Sequence, residues 1–209
     1  MASIEELKRS SGAHFFASIL GKSTISKSTP EYAFIVDAVG FLISHGVGII
    51  HGGYAGGAMS AASDTAVRLI QEAGLPRELN IGVPQLDHDG LWQRVEGAVS
   101  TNVAKDIFDR LSAVTSGDIV VICPLGGDGT ELEETTVFHE NVIRISMGKK
   151  PVPLLFLMTS TGTDWESLIR GKMSLLATSV KDPNQYPWLY FVRSLRHFEE
   201  IVLTYIHHE

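Results

Sequence analysis

Short apolar runs and segments with helical spacing alternate along almost the whole chain. Ile119 to Cys123 is a nearly continuous apolar run rich in β-branched residues, which is typical of a strand buried on both faces. Tyr32 to His45 instead carries apolar residues at helical spacing, follows Pro30 and is ended by Gly46. This alternation predicts an α/β fold: a doubly wound, Rossmann-like parallel sheet with helices on both faces.

The same reasoning assigns most of the remaining chain. The predicted strands are 13–20, 47–50, 79–83, 119–123, 152–158 and 188–192. The predicted helices are 3–10, 30–45, a segment ending at Gly74, 103–115, 130–147, 165–178 and 195–206. Residues 84–102 show no clear period and are predicted to be mostly loop. A length of 209 residues suits a single nucleotide-binding domain that spans residues 1–209.

Two glycine-rich turns each join a predicted strand to a predicted helix. A strand, a glycine turn and a helix N-terminus together form an anion site, because free backbone N–H groups and the helix dipole point at it. In a doubly wound sheet both turns face the edge where ligands bind. The pattern predicts a phosphorylated ligand, with a purely conformational role for the glycines as the alternative. The predicted phosphate- and nucleotide-binding residues are Gly52, Gly53, Gly56, Gly57, Met59, Gly126, Gly127, Asp128, Gly129, Thr130 and Glu134.

Composition narrows the class of ligand. The formal net charge of −7 argues against duplex nucleic acid as a ligand, because a protein that binds it requires a Lys/Arg footprint. The charge is compatible with a small phosphorylated molecule.

The single cysteine, Cys123, excludes a disulfide within the chain, argues against a cysteine-based zinc site and is predicted to be a core residue. No apolar run reaches the ~18 residues of a membrane span, and the N-terminus lacks the apolar region of a secretion signal. A cytoplasmic protein without a metal, cofactor or membrane partner is expected.

The ionisable residues leave several interpretations open. Asp109 and Arg110 are compatible with a solvated surface pair, and Glu133 with a carboxylate that complements the helix dipole. His51 follows a strand, where it either contacts ligand or is a hydrogen-bonded structural residue. Gly21 to Thr24 is not a P-loop, because the motif requires a glycine where Phe16 stands. No serine or cysteine nucleophile is supported, since Gly-x-Ser-x-Gly is absent and Cys123 has no local base.

Several of these segments resemble one family. The string GGDGTELE at 126–133 is similar to the Pro-Gly-Gly-x-Gly-Thr-x-x-Glu motif of the LOG (lonely guy) family, the cytokinin riboside 5′-monophosphate phosphoribohydrolases often labelled lysine decarboxylase-like. Arg110 lies sixteen residues before Gly126, where that family has an arginine, although Ile107 and Phe108 replace its Met-His. HGGYAGGAMSAASDTA resembles the second glycine motif of the family. Matches also occur at Thr29-Pro30-Glu31-Tyr32 and Lys150-Pro151-Val152, so that the resemblance covers roughly residues 13–205.

The resemblance implies hydrolysis of the N-glycosidic bond of a nucleoside 5′-monophosphate to free base and ribose 5-phosphate. Glu133 and Arg110 would be the catalytic residues, no metal or cofactor would be required, and a homodimer would form. The apolar faces of 32–45 and 135–147 are candidates for the dimer interface.

Other families keep three alternatives open. Molybdenum-cofactor carrier proteins resemble the same fold and bind a phosphorylated pterin without turnover. GGDGT also occurs in NAD and diacylglycerol kinases, but the second glycine turn, Arg110 and the closing α/β unit argue against them. A lysine decarboxylase is disfavoured, because no pyridoxal-phosphate lysine can be identified.

Overall fold

A computed structural model describes residues 2–85, 91–101, 104–175 and 186–207. The strands are β1 (Phe16–Leu20), β2 (Gly48–His51), β3 (Asn80–Gly82), β4 (Val99–Ser100), β5 (Ile119–Ile122), β6 (Leu154–Leu157) and β7 (Leu189–Val192). The helices are α1 (Ile4–Ser11), α2 (Pro30–Ser44), α3 (Gly57–Ala73), α4 (Ile107–Val114), α5 (Asp128–Ser146), α6 (Trp165–Leu175) and α7 (Leu195–Ile206), with a short 3₁₀ turn at Arg77–Leu79.

The seven strands form one parallel sheet in the order β4-β3-β2-β1-β5-β6-β7. Residues of β1 alternate between two cores: Ala17 and Ile19 pack with α2, α3 and α7, whereas Phe16 and Leu20 pack with α1, α4, α5 and α6. Helices therefore cover both faces of the sheet. The predicted doubly wound, Rossmann-like fold is confirmed.

Local sequence signals explain where several helices begin. The Ser3 hydroxyl and the Glu6 carboxylate form a capping box on α1, and the Thr29 hydroxyl accepts a hydrogen bond from the Tyr32 amide at the start of α2. Asp106 caps α4 by accepting hydrogen bonds from the amides of Phe108 and Asp109. At α5 the N-cap is Gly127, which has no side chain to offer.

The structure contains one strand that was not predicted, and several element boundaries are shifted; the first strand begins at Phe16 rather than at 13. β4 lies inside the stretch predicted as loop; with two half-buried residues at the sheet edge it is too short to produce a periodic signal. α4 begins at Ile107 rather than at 103, because Asp106 is its cap. α5 begins at Asp128 rather than at Thr130, so two residues predicted to belong to the glycine turn form the first helical turn. The predicted extension of the helix 165–178 beyond 175 lies outside the described residues.

The strand order reverses between β1 and β5, which lie side by side in the middle of the sheet. Connections therefore leave these two strands in opposite directions and open a crevice beyond their carboxyl ends. The chain at the end of β1 is tightly enclosed there, since a Cβ added to Gly21 would come within 2.5 Å of the Cys123 Cβ and 2.8 Å of the Ala58 Cβ.

A buried carboxylate fixes the start of α2 to the loop after β6. The Glu31 side chain accepts hydrogen bonds from the hydroxyls of Thr159 and Thr161. These two bonds lower the pKa of Glu31 to about 2. Glu31, which lies in the segment 29–32 that resembles the LOG family, therefore stabilises the fold beside the crevice. Across the described ranges, no helix combines the length and the apolar character needed to cross a bilayer.

Candidate functional site

A cavity of about 770 Å³ lies at the switch point of the sheet. Its size is within the usual range for small-molecule sites. Its walls come from the loop after β1, the glycine turn after β2, the start of α4 and the start of α5. The lining includes Lys22, Ser23, Thr24, Gly52, Tyr54, Met59, Leu91, Trp92, Gln93, Ile107, Arg110, Gly127, Asp128, Gly129, Thr130 and Glu133.

The N-terminus of α5 brings free backbone amides to the cavity. Helix geometry leaves the amides of Asp128, Gly129 and Thr130 without intrahelical acceptors, and no side chain caps the helix. Gly127, Asp128, Gly129 and Thr130 all line the cavity. The helix dipole adds partial positive charge at this point, so the first turn of α5 is suited to a phosphate group.

Arg110 and Glu133 form an ion pair on the cavity wall. Nη1 of Arg110, on α4, donates to Oε1 of Glu133, on α5, at 3.2 Å. The side chains are 14% and 8% exposed, respectively. Both helices flank β5, so two residues 23 positions apart in sequence meet beside the end of that strand. Because a helix rises 1.5 Å per residue, Glu133 lies about 7 Å along α5 from its first residue.

The Glu133 carboxyl has a perturbed electrostatic environment. Burial raises the pKa of Glu133 above its usual value, and the adjacent Arg110 guanidinium offsets only part of that increase. The buried Nε of Arg110 has no hydrogen-bond partner among the described residues. A buried donor without an acceptor costs about 1–3 kcal/mol, so a ligand oxygen that accepts a hydrogen bond from this Nε would bind favourably.

The glycine turn after β2 serves mainly to bring backbone segments together. Gly53, Gly56 and Gly57 have positive φ angles of 81°, 117° and 45°. A Cβ on Gly56 would lie 2.6 Å from the Ser23 carbonyl oxygen, and a Cβ on Gly57 would overlap the Lys22 carbonyl oxygen. That same Lys22 oxygen accepts a hydrogen bond from the Ala58 amide at 3.0 Å. The start of α3 thus holds the loop after β1, and these three glycines do not line the cavity.

Gly52, in contrast, faces the ion pair. A Cβ added there would lie 2.5 Å from Nη2 of Arg110 and 2.7 Å from the Met59 sulfur. Its φ is not in the left-handed region, so its requirement for glycine is steric. The absence of a side chain at Gly52 therefore allows the Arg110 guanidinium to reach its position beside Glu133.

Replacing Gly52 by alanine should disturb the site more than the fold. Both atoms in its way end flexible side chains, which can move, so we expect a Tm within about 3 °C of wild type. Displacing the Arg110 guanidinium by about 1 Å should lower any activity that depends on the Arg110–Glu133 pair on the order of 10²-fold. Calorimetric melting and an activity assay measure the two effects. Unchanged activity in an active protein would contradict this role for Gly52.

Two predicted ligand residues contact protein groups elsewhere. A Cβ on Gly126 would overlap the indole of Trp165, and the Gly126 amide donates to the Thr163 hydroxyl at 3.3 Å. Glu134 is buried and accepts a hydrogen bond from Nζ of Lys172 at 2.6 Å. Neither residue lines the cavity, whereas Gly52, Met59, Arg110 and Glu133 do, together with residues 127–130.

Sequence reasoning missed several residues of the cavity wall. Lys22, Ser23 and Thr24 are exposed and follow β1 directly; their position after a central strand was the available signal. Tyr54 and Trp92 also line the cavity. Trp92 gave no signal because residues 84–102 lack a period, and Tyr54 stands in the turn after β2, whose glycines alone were predicted to bind ligand. His51 is enclosed by the fold: its ring nitrogens bond the Asn80 side chain and the Gly53 amide, and burial lowers its pKa to about 4.

Cys123 is fully buried in the core, as predicted, and burial raises the pKa of its thiol. Within the ranges that the structure describes, no three His, Cys, Asp or Glu side chains converge to hold a metal ion.

The strand order defines a doubly wound, Rossmann-like protein, and its cavity lies at the switch point, where proteins of this fold usually bind ligands. No protein-family model matches the sequence, and no curated protein matches it either.

Solved structures that share the fold over nearly the whole chain include the following three. The molybdenum cofactor carrier protein of Chlamydomonas reinhardtii is 17% identical, with 92% of this chain and 98% of that chain covered and a TM-score of 0.57. The molybdenum cofactor binding protein of Rippkaea orientalis is 18% identical, with coverages of 94% and 99% and a TM-score of 0.62. DNA processing protein A of Helicobacter pylori, which binds single-stranded DNA, is 14% identical, with coverages of 97% and 85% and a TM-score of 0.55. At such identities the likeness establishes the fold alone.

Proposed function

We propose that this protein hydrolyses the N-glycosidic bond of a nucleoside 5′-monophosphate, releasing the free base and ribose 5-phosphate. The observation that carries the proposal is the buried Arg110–Glu133 pair on the wall of a cavity that also contains the open N-terminus of α5. The phosphate end of the substrate and its reacting carbon need different groups, and this cavity offers both within about two helical turns.

The 5′-phosphate would accept hydrogen bonds from the first amides of α5, with Lys22 as a nearby cation. The ribose would then lie along α5 towards Glu133. The Glu133 carboxylate would take a proton from a water molecule as its oxygen bonds to C1′. Positive charge develops on the sugar as the C1′–N bond breaks with its electron pair on the base nitrogen. The proton that Glu133 took from water then passes to that nitrogen, directly or through water, which restores the carboxylate.

Arg110 is proposed to keep Glu133 ionised and oriented. Its guanidinium stabilises the carboxylate form, and its buried Nε can donate to a sugar oxygen of the substrate. No metal ion or cofactor takes part in this proposal.

Incubation with a panel of nucleotides tests the reaction. Purified protein is mixed with AMP, GMP, CMP, UMP, dAMP and isopentenyl-AMP, and free base and ribose 5-phosphate are quantified by chromatography. Equal molar release of both products from at least one nucleotide is expected. Failure to cleave any of them at high protein concentration would overturn the proposal.

A non-catalytic carrier is the second candidate, and the full-length fold likeness to two molybdenum-cofactor proteins favours it. In that case the α5 N-terminus would hold the phosphate of a pterin, and Arg110 and Glu133 would bind without turnover. A pterin absorbance in the purified protein, together with a ligand-induced rise in Tm and no base release, would support the carrier.

A homodimer is also proposed, with α5 at the interface. The apolar face of α2 is buried against α3 and α7, whereas α5 and its neighbourhood expose large apolar side chains. These exposed side chains are Phe108, Leu132, Val142, Ile143, Ile145 and Met147. Burying them in a second copy would remove this apolar surface from water.

Light scattering measures the association directly. We expect a mass twice the chain mass of 22.8 kDa at micromolar concentration. Ile143→Glu, in the middle of the exposed stretch, should give the monomer mass, whereas Thr204→Glu on the exposed side of α7 should not. A monomeric wild-type protein would exclude the dimer.

A further inference from the structure

We propose that the cavity contains a separate subsite for a planar aromatic ring, built around Trp92, and that it selects ligands by ring size. Tyr54, Leu91 and Ile107 line the same cavity as Trp92 and complete the subsite. The inference rests on the proposed function for its substrate, the base of a nucleotide, but it is argued from contacts of its own.

The aromatic wall is continuous with the reacting groups. Glu133 bonds Arg110, and the Arg110 guanidinium lies over Gly52. Two residues further along the same turn, the Tyr54 ring meets the Trp92 ring edge-to-face, with centroids 5.5 Å apart and an interplanar angle of 81°. A ligand that extends from the first turn of α5 past Glu133 would therefore reach Trp92 at its other end.

The backbone holds this wall in position. The segment after Trp92 pairs antiparallel with the glycine turn: the Ala55 amide donates to the Gln93 carbonyl at 2.7 Å, and the Val95 amide donates to the Gly53 carbonyl at 3.0 Å. The buried Tyr54 hydroxyl donates to the Gln85 carbonyl and accepts from the Gln85 amide, both at 2.8 Å. Tyr54 is thus fixed at both ends, and it supports the indole of Trp92 from one side.

Trp92 nevertheless remains largely accessible. It is 56% exposed, whereas the other two tryptophans, Trp165 and Trp188, are each 1% exposed. An indole that lines a cavity and still exposes more than half of its surface can stack against a flat ligand ring. Such stacking tolerates different bases, because every base has a π face.

The chemistry of the wall indicates how the ring is selected. The side chains of Leu91, Trp92 and Ile107 that line this part of the cavity are apolar, and Gln93 adds one polar side chain beside Trp92. Against a mainly apolar wall, the affinity of a ligand depends more on the area it buries than on a particular hydrogen-bond pattern. We therefore expect purine nucleotides to bind more tightly than pyrimidine nucleotides, and apolar substituents on the ring to be accepted.

The fluorescence of Trp92 provides a readout that does not depend on activity. Because the other tryptophans are buried, quenching by acrylamide should report mainly Trp92. AMP, UMP and ribose 5-phosphate are titrated into the full chain, using Glu133→Gln to prevent turnover, and calorimetry gives their Kd values. AMP should quench the emission and protect it from acrylamide, UMP should do so more weakly, and ribose 5-phosphate should bind without quenching.

Two variants separate stacking from general disturbance of the site. Trp92→Ala should weaken AMP binding on the order of tenfold or more, and Trp92→Phe should recover most of that loss. Neither should change the Kd of ribose 5-phosphate, which does not reach the ring subsite. Equal AMP affinity in Trp92→Ala and wild type, or quenching by ribose 5-phosphate equal to that by AMP, would overturn the subsite.

The outcomes also distinguish this inference from the proposed function. If AMP quenches Trp92 but wild-type protein releases no base, the subsite stands and hydrolysis fails. If base is released while Trp92→Ala behaves as wild type, hydrolysis stands and the subsite fails. If no ring-bearing nucleotide and no pterin quenches Trp92, the subsite is overturned whatever the activity.

Discussion

Glu133→Gln is expected to lower base release from every accepted nucleotide on the order of 10²-fold or more. Glutamine keeps the volume of Glu133 and an oxygen that accepts from Arg110, so the cavity should retain its shape. It cannot take a proton from water, however, and general base catalysis contributes about 10² to 10⁴ in rate. Chromatographic measurement of kcat for both proteins checks the prediction.

Glu131→Gln is the matched control for this experiment. Glu131 lies on the same helix, is exposed and does not line the cavity, so the variant removes an equal charge without changing the proposed reaction. It should retain wild-type turnover. Turnover in Glu133→Gln that equals the control would exclude Glu133 as the base.

The raised pKa of Glu133 adds a pH dependence. A general base must be ionised, so the rate should fall as pH drops through the pKa of Glu133 in the free enzyme. Because burial raises that pKa, the acid limb of kcat/KM should lie above the ordinary glutamate pKa of about 4.5.

Gly57→Ala is expected to cause the largest loss of stability. Gly57 has a φ of 45°, and its added Cβ would overlap the Lys22 carbonyl oxygen, with the Ile25 backbone nitrogen at 2.8 Å. Left-handed strain and backbone displacement each cost about 1–3 kcal/mol, which together suggests a loss of about 3 kcal/mol or more. In a chain of this length that corresponds to a Tm lower by roughly 10 °C, measurable by calorimetry.

Gly40→Ala provides the comparison in the middle of α2. No atom lies within 4 Å of a Cβ added at Gly40, and its φ is not in the left-handed region. Alanine there should raise the unfolding free energy by about 0.5–1 kcal/mol through helix propensity. Similar Tm values for the Gly40→Ala and Gly57→Ala proteins would contradict the packing role assigned to the glycine turn after β2.

The fold was predictable because its signals are local. Apolar runs such as 119–123 and helix starts such as Thr29-Pro30 carry their information within a few residues. β4 was missed because two half-buried residues, Val99 and Ser100, have no period of their own and become a strand only by pairing with β3.

The site was predictable only in part. Adjacent helical residues point about 100° apart, so Glu133 can face the cavity while Glu134 faces Lys172, and sequence alone does not say which does which. Gly52 and Gly57 occur in one motif, yet the first faces Arg110 and the second a backbone carbonyl. Trp92 joins the cavity through long-range backbone pairing with the glycine turn, which no local pattern encodes.

The reversal of strand order between β1 and β5 divides the chain into two contiguous pieces. Among the described residues, those up to Val114 form strands β1 to β4, one half of the sheet, and carry Arg110 and Trp92. Those from Ile119 onwards form strands β5 to β7, the other half, and carry Glu133 with the α5 amides. A cut in the connection between α4 and β5 would therefore give two fragments, neither of which holds a complete ion pair. The two fragments could therefore serve as a split reporter, in which recovery of the activity proposed for the site would show that they had reassembled.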